Sequence, residues 1–353
     1  MRILVTGGTG SLGYALTRDL VDRTEHEVVI FSRDEFKQSW MREHFPDPRV
    51  DFILGDVRDR ERVADACWGV DAIVHAAALK RIDWVARHPH EVYKTNVEGT
   101  WNVLGACRGR RVILISSDKA CYPINAYGAS KMMAEHLTVR SGQTVVRYGN
   151  VLGSRGSVLP RWLECKAQGR PLPLTDPYMT RFLITFPQAV ALVQFALTRE
   201  PAGEILVPIL PACTMGSLAD VIGGPIARVR IRPGGEKEYE TLLTEEESHR
   251  SHVDGLVTVV RGETPSGCPG TWCLHRAPRE RTSANARRLL PPDLQSLVAR
   301  VVEEMPKWNP MWTHSSPASS SMATTLHSAT TPVLRSVSPG PSTMPSPSGA
   351  ANA

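Results

Sequence analysis

Arg2-Ile3-Leu4-Val5-Thr6-Gly7-Gly8-Thr9-Gly10-Ser11-Leu12-Gly13 lies at the start of the chain, and its reading decides the fold. A short aliphatic run ends in spaced glycines, after which apolar residues recur at helical intervals. Strand, glycine turn and helix in that order aim backbone N–H groups and a helix N-terminus at a pyrophosphate. Gly7 suits the tight turn, Gly10 the close approach of backbone to phosphate, and Gly13 the packing of helix on strand. Thr6, Ser11 and Leu12 complete the expected cofactor-binding turn. A plain turn is the competing reading, and the flanking strand and helix weigh against it.

Working outward, short apolar runs alternate with helical patterns through the first half of the chain. Strands are expected at Ile3–Thr6, Val28–Phe31, Val50–Leu54, Ala72–His75, Val112–Ser116 and Thr144–Arg147. Helices are expected near Leu12–Arg23, Arg60–Trp68, Glu91–Cys107 and Ser130–Val139. This alternation predicts an α/β fold, a doubly wound parallel sheet with ligands along the strand C-terminal edge. Beyond Gly149, Pro and Gly punctuate the pattern, with a further helix at Gln188–Leu197, a strand at Glu204–Val207 and a last helix near Pro292–Glu304. The expected division is a dinucleotide-binding domain of residues 1–150 plus about 186–210, and a smaller mixed lobe of 151–185 plus 211–312. Residues 313–353 are Ser-, Thr- and Pro-rich and bury too little apolar surface to offset ordering entropy, so a disordered tail is expected there.

Composition narrows the function classes. The net charge of +5 is mild and no basic cluster stands apart from neighbouring acids, which argues against nucleic-acid and membrane-surface partners. No apolar run reaches the roughly 18 residues of a membrane span, and the opening strand does not read as an export signal. Seven scattered Cys fit reduced thiols and a cytoplasmic setting. Cys268, Cys273 and His275 cluster without a fourth ligand at metal-site spacing, so no metal is expected.

The end of the second strand bears on cofactor choice. Enzymes that use NAD place an acid there for the ribose hydroxyls. Here Ser32 and Arg33 occupy that place and Lys37 follows a turn later, which favours the 2′-phosphate of NADP. Asp34 and Glu35 keep a solvated charge cluster as the alternative. Asp56 and Val57, after the third strand, are placed to hold adenine. Ala76, Ala77 and Ala78, after the fourth, are small enough for a cofactor to lie against the backbone.

Tyr127 and Lys131 stand one helical turn apart, with Ser116 at the preceding strand end. A tyrosine titrates near 10, and a lysine cation together with a nicotinamide ring would favour its phenolate. A simple dehydrogenase needs no more than this. Ser117-Asp118-Lys119 adds an acid and a second amine, which allows one atom to be protonated while another is deprotonated. Lysine can lose its proton where arginine cannot, and lysine is scarce in this chain. A surface ion pair is the bland alternative for Asp118 and Lys119.

These motifs, with Gly55-Asp56-Val57-Arg58-Asp59, Thr95-Asn96-Val97-Glu98-Gly99-Thr100, Pro123-Ile124-Asn125-Ala126-Tyr127 and Arg147-Tyr148-Gly149-Asn150-Val151-Leu152-Gly153-Ser154-Arg155-Gly156-Ser157-Val158, resemble the inverting UDP-N-acetylglucosamine 4,6-dehydratases. That family belongs to the extended short-chain dehydrogenase/reductases, built on an NAD(P)-binding Rossmann fold. The resemblance runs from Met1 to about Trp308 and leaves the tail out. It implies that Tyr127 takes the C4 hydroxyl proton, Lys119 the C5 proton, and Asp118 protonates the departing C6 hydroxyl. Ser117 stands where the family usually has threonine. Tyr127 and the missing membrane segment favour the inverting branch over a retaining one. The resemblance also implies cofactor contacts at Lys80 and Asn96, a UDP-linked amino sugar as substrate, and a homo-oligomer. Lys80, Asn150, Arg155, Ser157, Val158, Arg181, Arg232 and Glu236 would bind that substrate, two phosphates of which need cations. Arg232-Pro233-Gly234-Gly235-Glu236 carries one glycine more than the family pattern, which puts the place of Glu236 in doubt. A UDP-sugar epimerase or ketoreductase using Tyr127 without the Asp–Lys pair, and a non-catalytic NADP-binding scaffold, are the competing functions.

Overall fold

The computed structural model describes residues 1–262 and 280–308. Six parallel strands, β1 (Arg2–Thr6), β2 (Glu27–Ser32), β3 (Val50–Leu54), β4 (Ala72–His75), β5 (Arg111–Ser117) and β6 (Thr144–Tyr148), form the centre of one sheet. Their order is β3-β2-β1-β4-β5-β6, continued by the parallel strand Glu204–Pro208. The order reverses between β1 and β4, and a crevice opens there at the strand ends. Both sheet faces are covered, so successive residues of one strand feed different cores. Ile3 and Val5 pack with Tyr14, Leu16 and Leu20 of helix α1 (Ser11–Arg23). Leu4 packs on the other side with Val29, Val63, Ile73 and Val103. Each of these aliphatics is essentially unexposed, which is worth roughly 1.5–3 kcal/mol apiece.

The second lobe has its own core. Trp162 and Leu163 of helix Val158–Ala167, Leu218 of Met215–Ile222, and Val298 and Met305 of Pro291–Trp308 pack together. A three-stranded sheet, Ala212–Thr214, Thr180–Ile184 and Asn150–Val151, leads from the large sheet into this lobe. Arg147, at the end of β6, is buried and clamps the two parts. Its guanidinium bonds Glu135 at 3.0 and 2.5 Å, both carboxylate oxygens of Glu247 at 2.7 Å, and the Leu242 carbonyl at 3.0 Å.

Three local expectations need correction. Residues 251–261, assigned above to the second lobe, form strands Ser251–Asp254 and Val257–Arg261, which extend the large sheet in antiparallel fashion beyond Glu204–Pro208. A helix at Glu35–His44 escaped the reading because only Gln38 and Met41 of it are buried, leaving little apolar periodicity; Asp34 caps it by accepting from the Lys37 N–H. The single helix expected over Glu91–Cys107 is broken into Pro89–Val92, a π-helical turn Tyr93–Glu98, and Gly99–Ala106. Such turns are frequent at functional sites, and this one contains the buried Thr95 and Asn96.

Cys268, Cys273, His275 and the tail 313–353 lie outside the described residues. Among the described residues five cysteines are free and buried, and no helix is long and apolar enough to cross a membrane.

Candidate active site

A cavity of about 1540 Å³ lies between the sheet edge and the second lobe. That exceeds the roughly 300–1,000 Å³ typical of one small ligand, so two can be held side by side. Its walls include Gly7, residues 9–13, Ala76–Ala78, Ser116, Ser117, Lys119, Tyr127, Lys131, Asn150, Arg155 and Arg181.

At one end the glycine turn forms a cradle. Gly7 has φ +67°, and a Cβ there would come within 2.9 Å of the Ala77 backbone. A Cβ on Gly13 would meet the Gly8 backbone at 2.4 Å, so only glycine lets α1 sit this close to the turn. The cradle thus leaves the N-terminus of α1 facing the cavity. Two buried hydroxyls on the cavity wall, Ser116 Oγ and Thr95 Oγ1, have no hydrogen-bond partner among the described residues. Unsatisfied buried donors are costly, and a polyhydroxylated ligand would satisfy them. The residues present therefore fit a dinucleotide.

The end of β2 carries a more crowded set than the sequence suggested. Arg33 is half-exposed and lies 3.6 Å from Asp56. Lys37 pairs with Asp34, whose carboxyl sits below its ordinary range: burial opposes ionisation, and the hydrogen bonds and charge of Lys37 overcome it. Ser32 is buried, and its Oγ accepts from Gln38 Nε2 at 3.1 Å. Asp56 is held below the usual carboxylate range against the opposing effect of burial by Arg58, at 2.7 Å, and by Arg33. Ser32, Arg33, Lys37, Asp56 and Val57 all front the cavity.

Two residues expected on the cofactor do not. Thr6 Oγ1 lies 2.7 Å from His75 Nδ1 and accepts from the Ala77 N–H at 3.3 Å, tying β1 to the loop after β4. Asn96 accepts from the Leu79 N–H at 2.8 Å and donates to the Leu79 carbonyl at 3.0 Å and Ser130 Oγ at 2.9 Å. It therefore fastens the loop bearing Lys80 to the helix Ala126–Arg140 that carries Tyr127 and Lys131.

The residues expected to react converge at the mouth of β5. Ser117 ends the strand and caps a short turn, Asp118–Ala120. Asp118 is fully buried; its Oδ1 accepts from Ser117 Oγ at 2.8 Å and from Lys119 Nζ at 2.9 Å, and its Oδ2 has no partner. Burial raises its pKa, Lys119 opposes this, and Glu240 adds to it. Lys119 remains an ammonium: burial disfavours the charge, but Asp118 and Glu240 outweigh it. Burial also pushes Tyr127 above the usual tyrosine value, against the pull of Lys119 and of the Ser117 hydroxyl. The cation that favours the phenolate is thus Lys119. Lys131, one helical turn from Tyr127, donates from Nζ to the Ile115 carbonyl at 2.6 Å, and burial lowers its pKa to about 8.

The substrate end is cationic. Lys80 faces the cleft, where desolvation, then Arg155 and Lys119, lower its pKa. Arg155, expected on the substrate diphosphate, lies over the glycine turn: it bonds the Thr9 carbonyl, and its N–H and Nε reach Ser11 Oγ at 3.1 and 3.3 Å. Arg181 is buried and donates to the Thr180 carbonyl at 2.7 Å. Arg232 pairs with Glu236, which also accepts from Thr175 Oγ1 at 3.2 Å. Gly234 and Gly235 both take positive φ, 95° and 84°, and so absorb the additional glycine while Glu236 stays on the wall. Asn150, Ser157 and Val158 front the same cavity, with Ser157 Oγ unpartnered.

The model of a family described as polysaccharide biosynthesis protein matches residues 3–261. The chain belongs to that family. Among its relatives is the "UDP-N-acetylglucosamine 4,6-dehydratase (inverting)" of Campylobacter jejuni subsp. jejuni (strain 81-176), 39% identical over 71% of this chain and 79% of the relative. The "UDP-glucose 4-epimerase" of Rickettsia rickettsii is 42% identical over 69% of this chain and 78% of the relative. Among solved structures, Pen from Bacillus thuringiensis superimposes with TM-score 0.78 at 30% identity, covering 84% of this chain and 96% of that one. The extended short-chain dehydrogenase/reductase resemblance drawn from the motifs and these comparisons agree.

One group at the site carries no signal in the sequence. Glu240 comes from the second lobe and is 3% exposed. Its carboxylate lies 3.2 Å from Lys119 Nζ and 3.6 Å from Lys237 Nζ. Its backbone is clamped by Ser283, which donates to the Glu240 carbonyl at 2.7 Å and from Oγ accepts the Glu240 N–H at 2.9 Å. No spacing rule links positions 119, 240 and 283, so nothing in the sequence pointed to them.

Proposed function

We propose that this chain is an NADP-dependent nucleotide-sugar 4,6-dehydratase acting on UDP-N-acetylglucosamine or a close UDP-amino sugar, with inversion at C5. The observation that carries the reading is that Tyr127 and Lys119 front one cavity behind a dinucleotide cradle, with the buried Asp118 paired to Lys119 just beneath the wall. An epimerase needs the tyrosine alone; the acid and amine are surplus to it.

Gly7, Gly10, Ser11, Leu12, Gly13 and Ala76–Ala78 would hold the cofactor along the turn, with Ser116 and Lys131 near its nicotinamide ribose. When bound, the nicotinamide accepts hydride from sugar C4 and returns it to C6. Tyr127 takes the C4 hydroxyl proton as the ketone forms, with Ser117 bonding the C4 oxygen. The ketone acidifies C5–H, and Lys119 removes that proton. Asp118, whose burial favours the carboxylic acid, gives its proton to the C6 hydroxyl, and water leaves. C5 is reprotonated on its other face. Lys80, Arg181 and Arg232 supply positive charge for the substrate diphosphate, with Asn150, Ser157, Val158 and Glu236 around the sugar and uridine. Arg155 is the cation nearest the cofactor turn.

The test is incubation with UDP-N-acetylglucosamine in heavy water, followed by NMR. A 4-keto-6-deoxy product, deuterated at C5 with inverted configuration, is expected. A C4 epimer without water loss or C5 deuterium would instead establish the epimerase reading, which the name of the Rickettsia relative favours.

Preference for NADP rests on Arg33, half-exposed at the cavity end and 3.6 Å from Asp56, its one ion-pair partner among the described residues. A charge-assisted bond of about 1.5–3 kcal/mol corresponds to roughly 10- to 100-fold in affinity. Arg33→Ala should weaken NADP binding by that factor and leave NAD binding little changed, measured by fluorescence titration. Equal weakening of both would remove the case for NADP.

A further inference from the structure

The motif resemblance assigns Arg155 to the substrate diphosphate, but the fold carries it to the glycine turn. Its guanidinium donates to the Thr9 carbonyl and, from Nε, to Ser11 Oγ at 3.3 Å. Its backbone N–H reaches the same Ser11 Oγ at 3.1 Å. Thr9 and Ser11 flank Gly10, the residue that lets backbone approach a pyrophosphate. Arg155 nevertheless belongs to the second lobe, in the loop between strand Asn150–Val151 and helix Val158–Ala167. The Leu152 N–H of that loop donates to the Ile184 carbonyl at 2.9 Å. Gly153 lies so close to Met305 that a Cβ there would come within 2.9 Å of its sulfur. The loop is thus anchored on one lobe while its guanidinium rests on the other.

We propose that Arg155 is a cofactor-binding residue, whose guanidinium closes over the dinucleotide pyrophosphate at the N-terminus of α1 and retains the cofactor between turnovers. Both sides of that place lack negative charge. Helix α1 is capped by Gly10 without a side-chain bond and has no acid in its first turn, so its N–H groups and positive dipole end await an anion. On the other side, burial disfavours the Arg155 cation, and Asp34 opposes this without overcoming it. Lys80, on the same wall, adds a second cation: desolvation and then the Arg155 charge lower its pKa. A phosphate between turn and guanidinium offsets both, and the planar fork of arginine suits phosphate oxygens.

The cofactor carries two kinds of anion. Arg33 and Lys37, at the end of β2, front the cavity as cations for a 2′-phosphate, whereas Arg155 is bonded to the turn on which a pyrophosphate rests. Retention suits the chemistry. A dehydratase returns to the sugar the hydride it took, so its cofactor is regenerated in place and need not leave. A dinucleotide held between the turn and an arm of the second lobe departs only after that arm lifts.

This inference rests on the dinucleotide part of the dehydratase reading, and the experiment separates the two. Wild type, Arg155→Gln and Arg155→Lys are titrated with NADPH and with NADH by fluorescence, and with UDP by calorimetry at saturating cofactor. Bound NADPH is then chased with excess NADP to time its release. Arg155→Gln should bind NADPH and NADH each roughly 10- to 100-fold more weakly, mostly through faster release, while UDP binds as to wild type. Arg155→Lys keeps the charge but loses the fork, and should fall between the two. Weaker UDP binding with cofactor binding unchanged would return Arg155 to the substrate diphosphate and overturn the assignment. A loss confined to NADPH would place it on the 2′-phosphate, and an equal loss for UDP and both cofactors would make it only a tie between lobes; either result also overturns it. Wild type that binds neither cofactor would fail the dinucleotide reading itself.

Discussion

Lys119→Ala is expected to stop release of a 4-keto-6-deoxy product while leaving oxidation at C4 detectable. Loss of a positioned base costs about 10²–10⁴ in rate, and the carboxylates beside Lys119, those of Asp118 and Glu240, are buried behind the cavity wall and offer no substitute. Bound cofactor should still become reduced in single turnover, because Tyr127 makes the first proton transfer. That first step will also move. Lys119 is the main group opposing the upward push of burial on Tyr127, so its removal raises the tyrosine pKa further and shifts C4 oxidation to higher pH. Stopped-flow absorbance at pH 7 and pH 9, with product analysis by NMR, separates the two effects. Asp118→Asn should behave likewise in product release, but with a milder effect on the pH of oxidation. Product formation at the wild-type rate in both variants would show that the pair is only structural.

The second large effect is on stability. Arg147 bonds two carboxylates and a carbonyl while itself unexposed. Removing one partner of a buried charge cluster costs roughly 3–5 kcal/mol, because the remaining charges are left uncompensated. Arg147→Met keeps the length and apolar stem but strands Glu135 and Glu247 together. For a chain of this size the loss corresponds to a Tm lowered on the order of 10 °C at pH 7.5, read by circular dichroism.

The sign of the pH dependence follows from linkage. In the wild type Arg147 depresses the pKa of Glu247 against the opposing effect of burial. That contribution is present above the unfolded glutamate pKa and fades as pH falls through the folded value. In Arg147→Met the Glu247 carboxylate loses the charge that opposed burial, so it takes a proton earlier as pH falls and the penalty relaxes. The gap in Tm between the two proteins should therefore be widest near neutrality and narrow toward pH 5. A gap that stays constant would mean that lost packing, and not charge, is the cause.

Much of this protein was readable from local pattern. β1, its glycine turn and α1 are contiguous, and Gly7 and Gly13 are demanded by backbone contacts within a few residues or one strand away. Tyr127 and Lys131 share a helical turn, and Ser117, Asp118 and Lys119 are consecutive, so spacing alone brought their chemistry together. Strand positions were legible because β1, β4 and β6 are apolar on both faces, as burial under helices on each side requires.

Other parts were decided only by tertiary contact. Thr6 and Asn96 fit a cofactor motif, yet their hydrogen-bonding capacity is taken up by His75, Ala77, Leu79 and Ser130. Arg155 came to rest on the cofactor turn because Ser11, 144 positions away, lies beneath it. The antiparallel pair 251–261 joined the large sheet because strand Glu204–Pro208 offered an unpaired edge. Glu240 and Lys119 meet across 121 positions of chain, held by the clamp of Ser283. Charge and hydrogen-bond satisfaction are properties of which groups end up adjacent, and adjacency across such separations is set by the closing of one lobe on the other, which no periodicity encodes.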